Sequence, residues 1–165
     1  MNVTKRYVFM IIDKSILTDK AQTGRKMHMI VRRFADDLDK IKVMRRGRPV
    51  ALSGLSLPDY FDFVRKIKYK RDDSPVELVA RPLYIMGMTG KGIDCKKKNI
   101  LISSWLRKKN IPYRMLAVST RKDKKVHHVF PQAEISGQWM NLDATYSNYQ
   151  PFQEKKVSYA EVLKG

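Results

Sequence analysis

The sequence predicts an α+β domain, and three observations carry the prediction. Helical periodicity dominates the chain up to about residue 110, three β-rich segments follow, and Ser136-Gly137 makes a tight turn between the last two of them. Helices first and an antiparallel meander afterwards is the pattern of that class. A chain of 165 residues suits one compact domain. Its 43% hydrophobic content, much of it periodic, is enough for a core and excludes wholesale disorder.

Taken in order, residues 7–12 form an apolar run of six that Asp13 closes. It reads as a short strand and falls far below the ~20 residues that span a bilayer. With no secretory signal in view, the expectation is a cytoplasmic protein without a membrane partner. Residues 25–44 read as a helix, with Met27, Ile30, Val31, Phe34, Leu38 and Ile41 on one stripe and charged residues between them. A loop is expected over 45–58, where Gly47, Pro49, Ser53 and Gly54 cluster. Ser56 or Leu57 then caps a second helix that has Pro58 in its first turn and Tyr60, Phe61, Val64 and Ile67 facing inward. That helix fades through 68–74 and ends by Pro75.

A third helix begins at Asp94–Cys95, after the glycines Gly87, Gly90 and Gly92. Leu101, Ile102, Trp105 and Leu106 give its apolar face, and Arg107, Lys108 and Lys109 suit the negative end of its dipole. Asn110 takes the left-handed cap and Pro112 blocks continuation. Strands are expected over 113–119, 126–135 and 138–143, with a charged loop at 120–125. Pro131 inside the second strand signals a bulge or an unpaired side. Trp105 is expected in the helix core and Trp139 in the hairpin core.

The net charge is +18, with a pI near 10.1. Residues 1–56 carry +8, residues 57–152 carry +9 and residues 153–165 carry +1, so no basic tail accounts for it. A positive surface follows, suited to an acidic partner or, through non-specific charge, to nucleic acid. Nothing resembles a helix-turn-helix, a zinc site or an RNA-binding sheet with exposed aromatics. Gly87, Gly90 and Gly92 do not form a Walker sequence, and one cysteine offers neither a disulfide nor paired-thiolate metal spacing, so no cofactor is expected.

A lone cysteine is most often a small buried hydrophobe. Cys95, however, sits at a helix N-terminus, where unpaired N–H groups and the dipole favour a thiolate, and Lys96, Lys97 and Lys98 follow it. A nucleophilic cysteine needs a base, and the base needs an orienter. Of the three histidines, His28 reads as a surface or packing residue on the first helix. If Ser136-Gly137 is a two-residue turn, Ile135 pairs with Gln138 and Phe130 lies opposite Asp143. His128 then shares Phe130's face and is a diagonal neighbour of Asp143, at ~7–8 Å between backbone positions. A three-residue loop, or a bulge at Pro131, would bring His127 to that face instead.

These residues resemble a known family. Gly92-Ile-Asp94-Cys95, the helix ending in Asn110-Ile-Pro112-Tyr-Arg114, His128-Val-Phe130 and Gly137-Gln-Trp139-Met-Asn-Leu142-Asp143-Ala-Thr145 stand in the order of the transglutaminase-like cysteine protein superfamily. Phe63-Val-Arg-Lys-Ile-Lys-Tyr69 and Val76-Glu-Leu-Val-Ala-Arg-Pro82 are similar to its lead-in. The likeness is to small versions encoded by tailed phages and prophages, and covers about residues 57–152.

The resemblance implies a papain/transglutaminase-like core over 57–165, with residues 1–56 a basic N-terminal extension (a short strand and a helix) packed on it as one compact whole. It implies Cys95 as nucleophile, His128 as general base and acid, and Asp143 as the residue orienting the imidazole. The implied reaction is acyl transfer through a Cys95 thioester on a peptide or protein substrate, with hydrolysis favoured over crosslinking. The sequence departs from the family pattern at Ile93, where glycine is usual, and at Lys96–Lys98, where acidic residues are common. A second expectation comes from the charge alone: a basic virion-associated or nucleic-acid-binding protein on a catalytically vestigial fold.

Overall fold

Ile100, Leu101, Ile102, Trp105 and Leu106 are buried, and so are Asn99, Ser103 and Ser104. A helix enclosed on nearly every side is the centre of its fold. The computed structural model describes residues 12–15, 20–73 and 77–165. The strand expected at 7–12 lies almost wholly outside the described residues.

In chain order the elements are β1 (Ile12–Ser15), α1 (Lys20–Phe34), α2 (Asp37–Lys40), β2 (Lys42–Arg45), β3 (Arg48–Ala51), α3 (Leu57–Lys66), β4 (Glu77–Ala80), α4 (Pro82–Met88), α5 (Cys95–Lys108), β5 (Tyr113–Ser119), β6 (His128–Ile135), β7 (Gln138–Asn141) and β8 (Tyr159–Leu163). The fold is therefore mixed, helices with antiparallel sheet. Strands β7-β6-β5-β8 form one four-stranded sheet, and β1-β4 and β2-β3 form two-stranded pairs. The central helix α5 packs against α1, α3, β5 and β6. Tyr60 of α3 stacks on Trp105 at 5.8 Å between ring centres and donates its hydroxyl to the Leu101 carbonyl over 3.0 Å. The expected core position of Trp105 is thus met.

Local sequence explains most ends. Ser56 caps α3 by accepting from the Asp59 N–H at 3.3 Å, with Pro58 in the first turn. Asn110 has φ 55°, the left-handed value expected after α5, and the Ile111 N–H closes on the Leu106 carbonyl at 2.9 Å.

The helix expected over 25–44 is instead α1, α2 and the strand β2. Its apolar stripe runs on through buried Leu38, which hides the break. The break itself comes from Asp37, buried at 1% exposure, whose carboxylate accepts from Arg81 (Nε at 2.7 Å) and from the Leu83 N–H at 3.2 Å. A buried carboxylate requires such partners, and they lie 44 and 46 residues on in the chain. The expected loop over 45–58 begins as a β2-β3 hairpin. Arg46 and Gly47 at φ 48° and 76° turn it, much as Ser136 and Gly137 at 52° and 77° turn β6 into β7. Arg-Gly is not a usual turn signature, so this hairpin leaves little trace in the sequence. Strand β4 and helix α4 fall between the expected elements, four and seven residues long, and β8 lies in the tail. Such short pieces have too little periodicity to read.

Candidate active site

The approach to Cys95 depends on Gly92. Its φ of +93° suits glycine, and a Cβ there would stand 2.9 Å from the Lys70 Cβ and 3.0 Å from the Lys68 carbonyl. The close passage allows Ile93 to bridge to Tyr69: the Ile93 N–H donates to Lys68 at 2.9 Å, and the Lys70 N–H donates to Ile93 at 3.0 Å. Asp94 then caps α5, its Oδ1 accepting from the Lys97 N–H at 3.1 Å. Cys95 is the first residue of the helix, 9% exposed, and lines a cleft of about 370 Å³ together with Tyr69 and His128.

The hairpin supplies the other two groups. Ile135 pairs with Gln138, and the register runs without a bulge to Gln132 and Asn141. One step further, the Leu142 N–H still donates to the Pro131 carbonyl at 2.9 Å. Pro131 has no N–H to return, and the β6-β7 ladder ends there, so its missing donor falls where strand pairing stops. His128 therefore reaches Asp143 across the diagonal: Nε2 stands 2.6 Å from Oδ2. The Asp143 carboxylate also accepts the Thr145 N–H at 3.0 Å and lies 2.8 Å from the Lys155 ammonium.

With Nε2 committed to Asp143, Nδ1 is the ring nitrogen left for Cys95. Burial alone would lower the imidazole pKa. The hydrogen bond and charge of Asp143, and then those of Cys95, outweigh burial and lift it to about 9. Burial pulls Asp143 the other way, towards the neutral acid, yet His128, Lys155 and Thr145 hold its pKa at about 2. At neutral pH the pair is imidazolium and carboxylate.

His127 lines the same cleft but takes no part in the contact with Asp143. It is exposed, with its ring near the Thr120 hydroxyl and the Lys125 carbonyl, both at 3.3 Å. His28 stacks on Tyr113 and bonds the Leu163 carbonyl at 3.1 Å, a packing role.

The lysines after Cys95 were not legible as structural residues. Lys97 and Lys98 are among the most buried side chains, at 0% and 1% exposure. The Lys97 ammonium sits 2.6 Å from Asp72 and 3.3 Å from Asp94, and Lys96 lies 2.5 Å from Asp94. Lys98 is buried without a carboxylate in hydrogen-bond reach. Its ammonium donates to the carbonyls of Arg65, Ala144 and Thr145 at 3.2, 3.1 and 2.8 Å, and desolvation pushes its pKa down to about 8. Two of those carbonyls follow Asp143 directly in the chain. Lys155, also unread in the sequence, lies over the Tyr149 ring at 3.3 Å as well as against Asp143. A lysine twelve residues after an aspartate carries no local signal of that contact.

Trp139, expected in the hairpin core, is 37% exposed and stacks under the Arg114 guanidinium at 4.4 Å. The hairpin is short, and its outer end extends past the core. Among the described residues, no helix is long and apolar enough to cross a membrane.

No family model matches the chain, and no curated protein matches it. Among solved structures it is similar to a Cytophaga hutchinsonii protein that bears the name "Putative Cysteine Protease", with 14% sequence identity and a TM-score of 0.39. The match covers 86% of this chain and 50% of that one, so the chain spans half the length of the structure it matches.

Proposed function

We propose that this protein is a cysteine-dependent acyl-transfer enzyme on a papain/transglutaminase-like core, hydrolysing a peptide or amide bond through a Cys95 thioester. The observation that carries the reading is one chain of contacts. Asp143 holds Nε2 of His128, and that imidazole lines the same cleft as Cys95, the first residue of α5. A structural histidine would not need both a buried carboxylate on one ring nitrogen and a place in the cleft that holds the molecule's one cysteine.

In this reading the Cys95 sulfur attacks the substrate carbonyl, forming a C–S bond, and negative charge moves to the carbonyl oxygen. The Cys95 N–H, in the first turn of α5, has no acceptor within the helix and is the first donor for that oxyanion. Tyr69 is a candidate second donor. It lines the same cleft, and burial followed by the neighbouring Cys95 pushes its phenol up to about 12, so the hydroxyl keeps its proton. His128 gives its Nδ1 proton to the leaving amine as the C–N bond breaks. Water then attacks the thioester, His128 takes its proton, and the C–S bond breaks to release the acid and the sulfur. Asp143 keeps the ring in one orientation throughout. Water is favoured over a lysine amine as acceptor because Arg71, Lys96, Arg121 and Lys125 line the cleft and repel an ammonium.

Because the chain has one cysteine, thiol alkylation followed by intact mass reads a single site. Wild type is expected to react with iodoacetamide at neutral pH at least ~10-fold faster than His128→Ala. Equal, slow rates in the two proteins would overturn the proposal.

A further inference from the structure

Four cations line the cleft that holds Cys95 and His128, and they come from three separate parts of the chain. Arg71 follows the Tyr69 bridge, Lys96 is on the first turn of α5, and Arg121 and Lys125 belong to the loop between β5 and β6. Lys96 is engaged by Asp94. Arg71, Arg121 and Lys125 are exposed, and among the described residues no ion pair engages their side chains. The acidic groups nearby are already taken: Asp94 caps α5 and meets Lys96 and Lys97, while Asp72 is bound by Lys97 and the Leu78 N–H. Asp123, in the same loop, accepts the Lys125 backbone N–H and keeps its charge, but it does not line the cleft. Met27, Ala117, Val126, Val129 and Leu163 add apolar lining to the same cleft.

We propose that the cleft selects acidic peptides, with an Asp or Glu side chain near the scissile bond held by Arg71, Arg121 and Lys125. The inference rests on the acyl-transfer reading and names its substrate class. Its physical basis is the imbalance of the cleft: three cations from two segments line one solvent-filled space, and among the described residues no carboxylate is ion-paired with them. Low-dielectric walls strengthen their field on a bound carboxylate, and they steer anionic ligands inward. Polynucleotide, the other polyanion, has no use for the apolar lining of the cleft, whereas a peptide places an aliphatic side chain there.

Two reagents separate this inference from the question of turnover. Iodoacetate and iodoacetamide perform the same alkylation, but only the first carries a carboxylate. At low ionic strength the iodoacetate-to-iodoacetamide rate ratio at Cys95 is expected to exceed that of 2-mercaptoethanol about 10-fold. In Arg121→Glu/Lys125→Glu the ratio is expected to fall severalfold. A ratio equal to that of the free thiol, or one indifferent to the charge reversal, overturns the cationic selection even if the enzyme is active. Conversely, a protein with the raised ratio but no turnover keeps the anion preference and loses the enzymatic reading.

Substrate class is then read with paired peptides that differ only in Asp/Glu against Asn/Gln. The acidic members are expected to show kcat/KM about 10-fold higher, with the gap closing as salt is added. Equal values for both members overturn the proposal. So does stronger protection of Cys95 from iodoacetamide by an oligothymidylate than by an acidic peptide of equal charge.

Discussion

Two runs of basic residues in this molecule meet opposite fates. Lys96, Lys97 and Lys98 follow the cysteine, and Arg121, Lys122, Lys124 and Lys125 fill the loop between β5 and β6. In composition they are alike. In the fold the first run is held down, with its ammonium groups on Asp72, Asp94 and backbone carbonyls, while the second stays exposed, with Arg121 and Lys125 lining the cleft. The difference shows that a charge run does not reveal its role until the surroundings are known. Near Cys95, positive charge mostly holds backbone and carboxylates in place, and the charge open to a ligand comes from the distant loop and from Arg71.

The comparison breaks most sharply at Lys98. Lys98→Met preserves much of the volume but leaves the Ala144 and Thr145 carbonyls without their donor. We expect a loss of about 3 kcal/mol in stability by urea denaturation, because buried acceptors stripped of a partner cost ~1–3 kcal/mol each. The wild-type lysine has a linked signature. Its folded pKa of about 8 lies below its ordinary 10.5, so the folded state holds fewer protons than the unfolded state between those values. Its contribution therefore becomes more favourable as pH rises from about 8 to 10.5, and this slope is expected to vanish in Lys98→Met.

Next in size is Asp143→Asn, which keeps a hydrogen-bond acceptor and removes the charge. The His128 pKa should fall from about 9 as burial takes over, and kcat/KM should drop ~100-fold with the alkaline limb of its pH profile moving down. Sign matters for stability too. In wild type, His128 contributes fully below its unfolded value of 6.5 and loses that contribution as pH rises through about 9. Asp143 contributes above 3.8 and loses its share as pH falls through about 2. A pH-stability curve flat between 6.5 and 9 in wild type would contradict the pairing.

Lys155→Met tests the same carboxylate from the other side. Removing a cation 2.8 Å from Asp143 leaves its charge to His128 alone, so the alkaline limb should move up rather than down. Activity is expected to fall several-fold, by about 1 kcal/mol in transition-state terms, as the carboxylate loses one of its supports. The smallest effect belongs to the loop. Lys122→Ala should change stability by less than about 0.5 kcal/mol, as exposed surface substitutions do, and a urea midpoint shifted like that of Lys98→Met would erase the contrast between the two runs.

Much of the fold and of the candidate site is legible in the sequence. Ser56 and Pro58 mark one helix start, Asp94 and Asn110 mark the ends of the central helix, and Ser136-Gly137 sets a register from which His128 and Asp143 become diagonal neighbours. These are local signals, written in caps, turns and a period of two. The β2-β3 hairpin, α4 and β8 are too short for periodicity, and the stripe through Leu38 disguised the end of α1.

The sequence by itself determined the helix carrying Cys95, the turn at Ser136-Gly137 from which one hairpin register follows, and, with the family resemblance, the three residues as candidates. Tertiary structure alone decided that Lys97 and Lys98 are interior, that Lys155 joins His128 around Asp143, and that Arg71, Arg121 and Lys125 share one cleft. The physical reason is range. Backbone capping and strand alternation act within a few residues, whereas burial and the pairing of charges depend on segments tens of residues apart meeting in space.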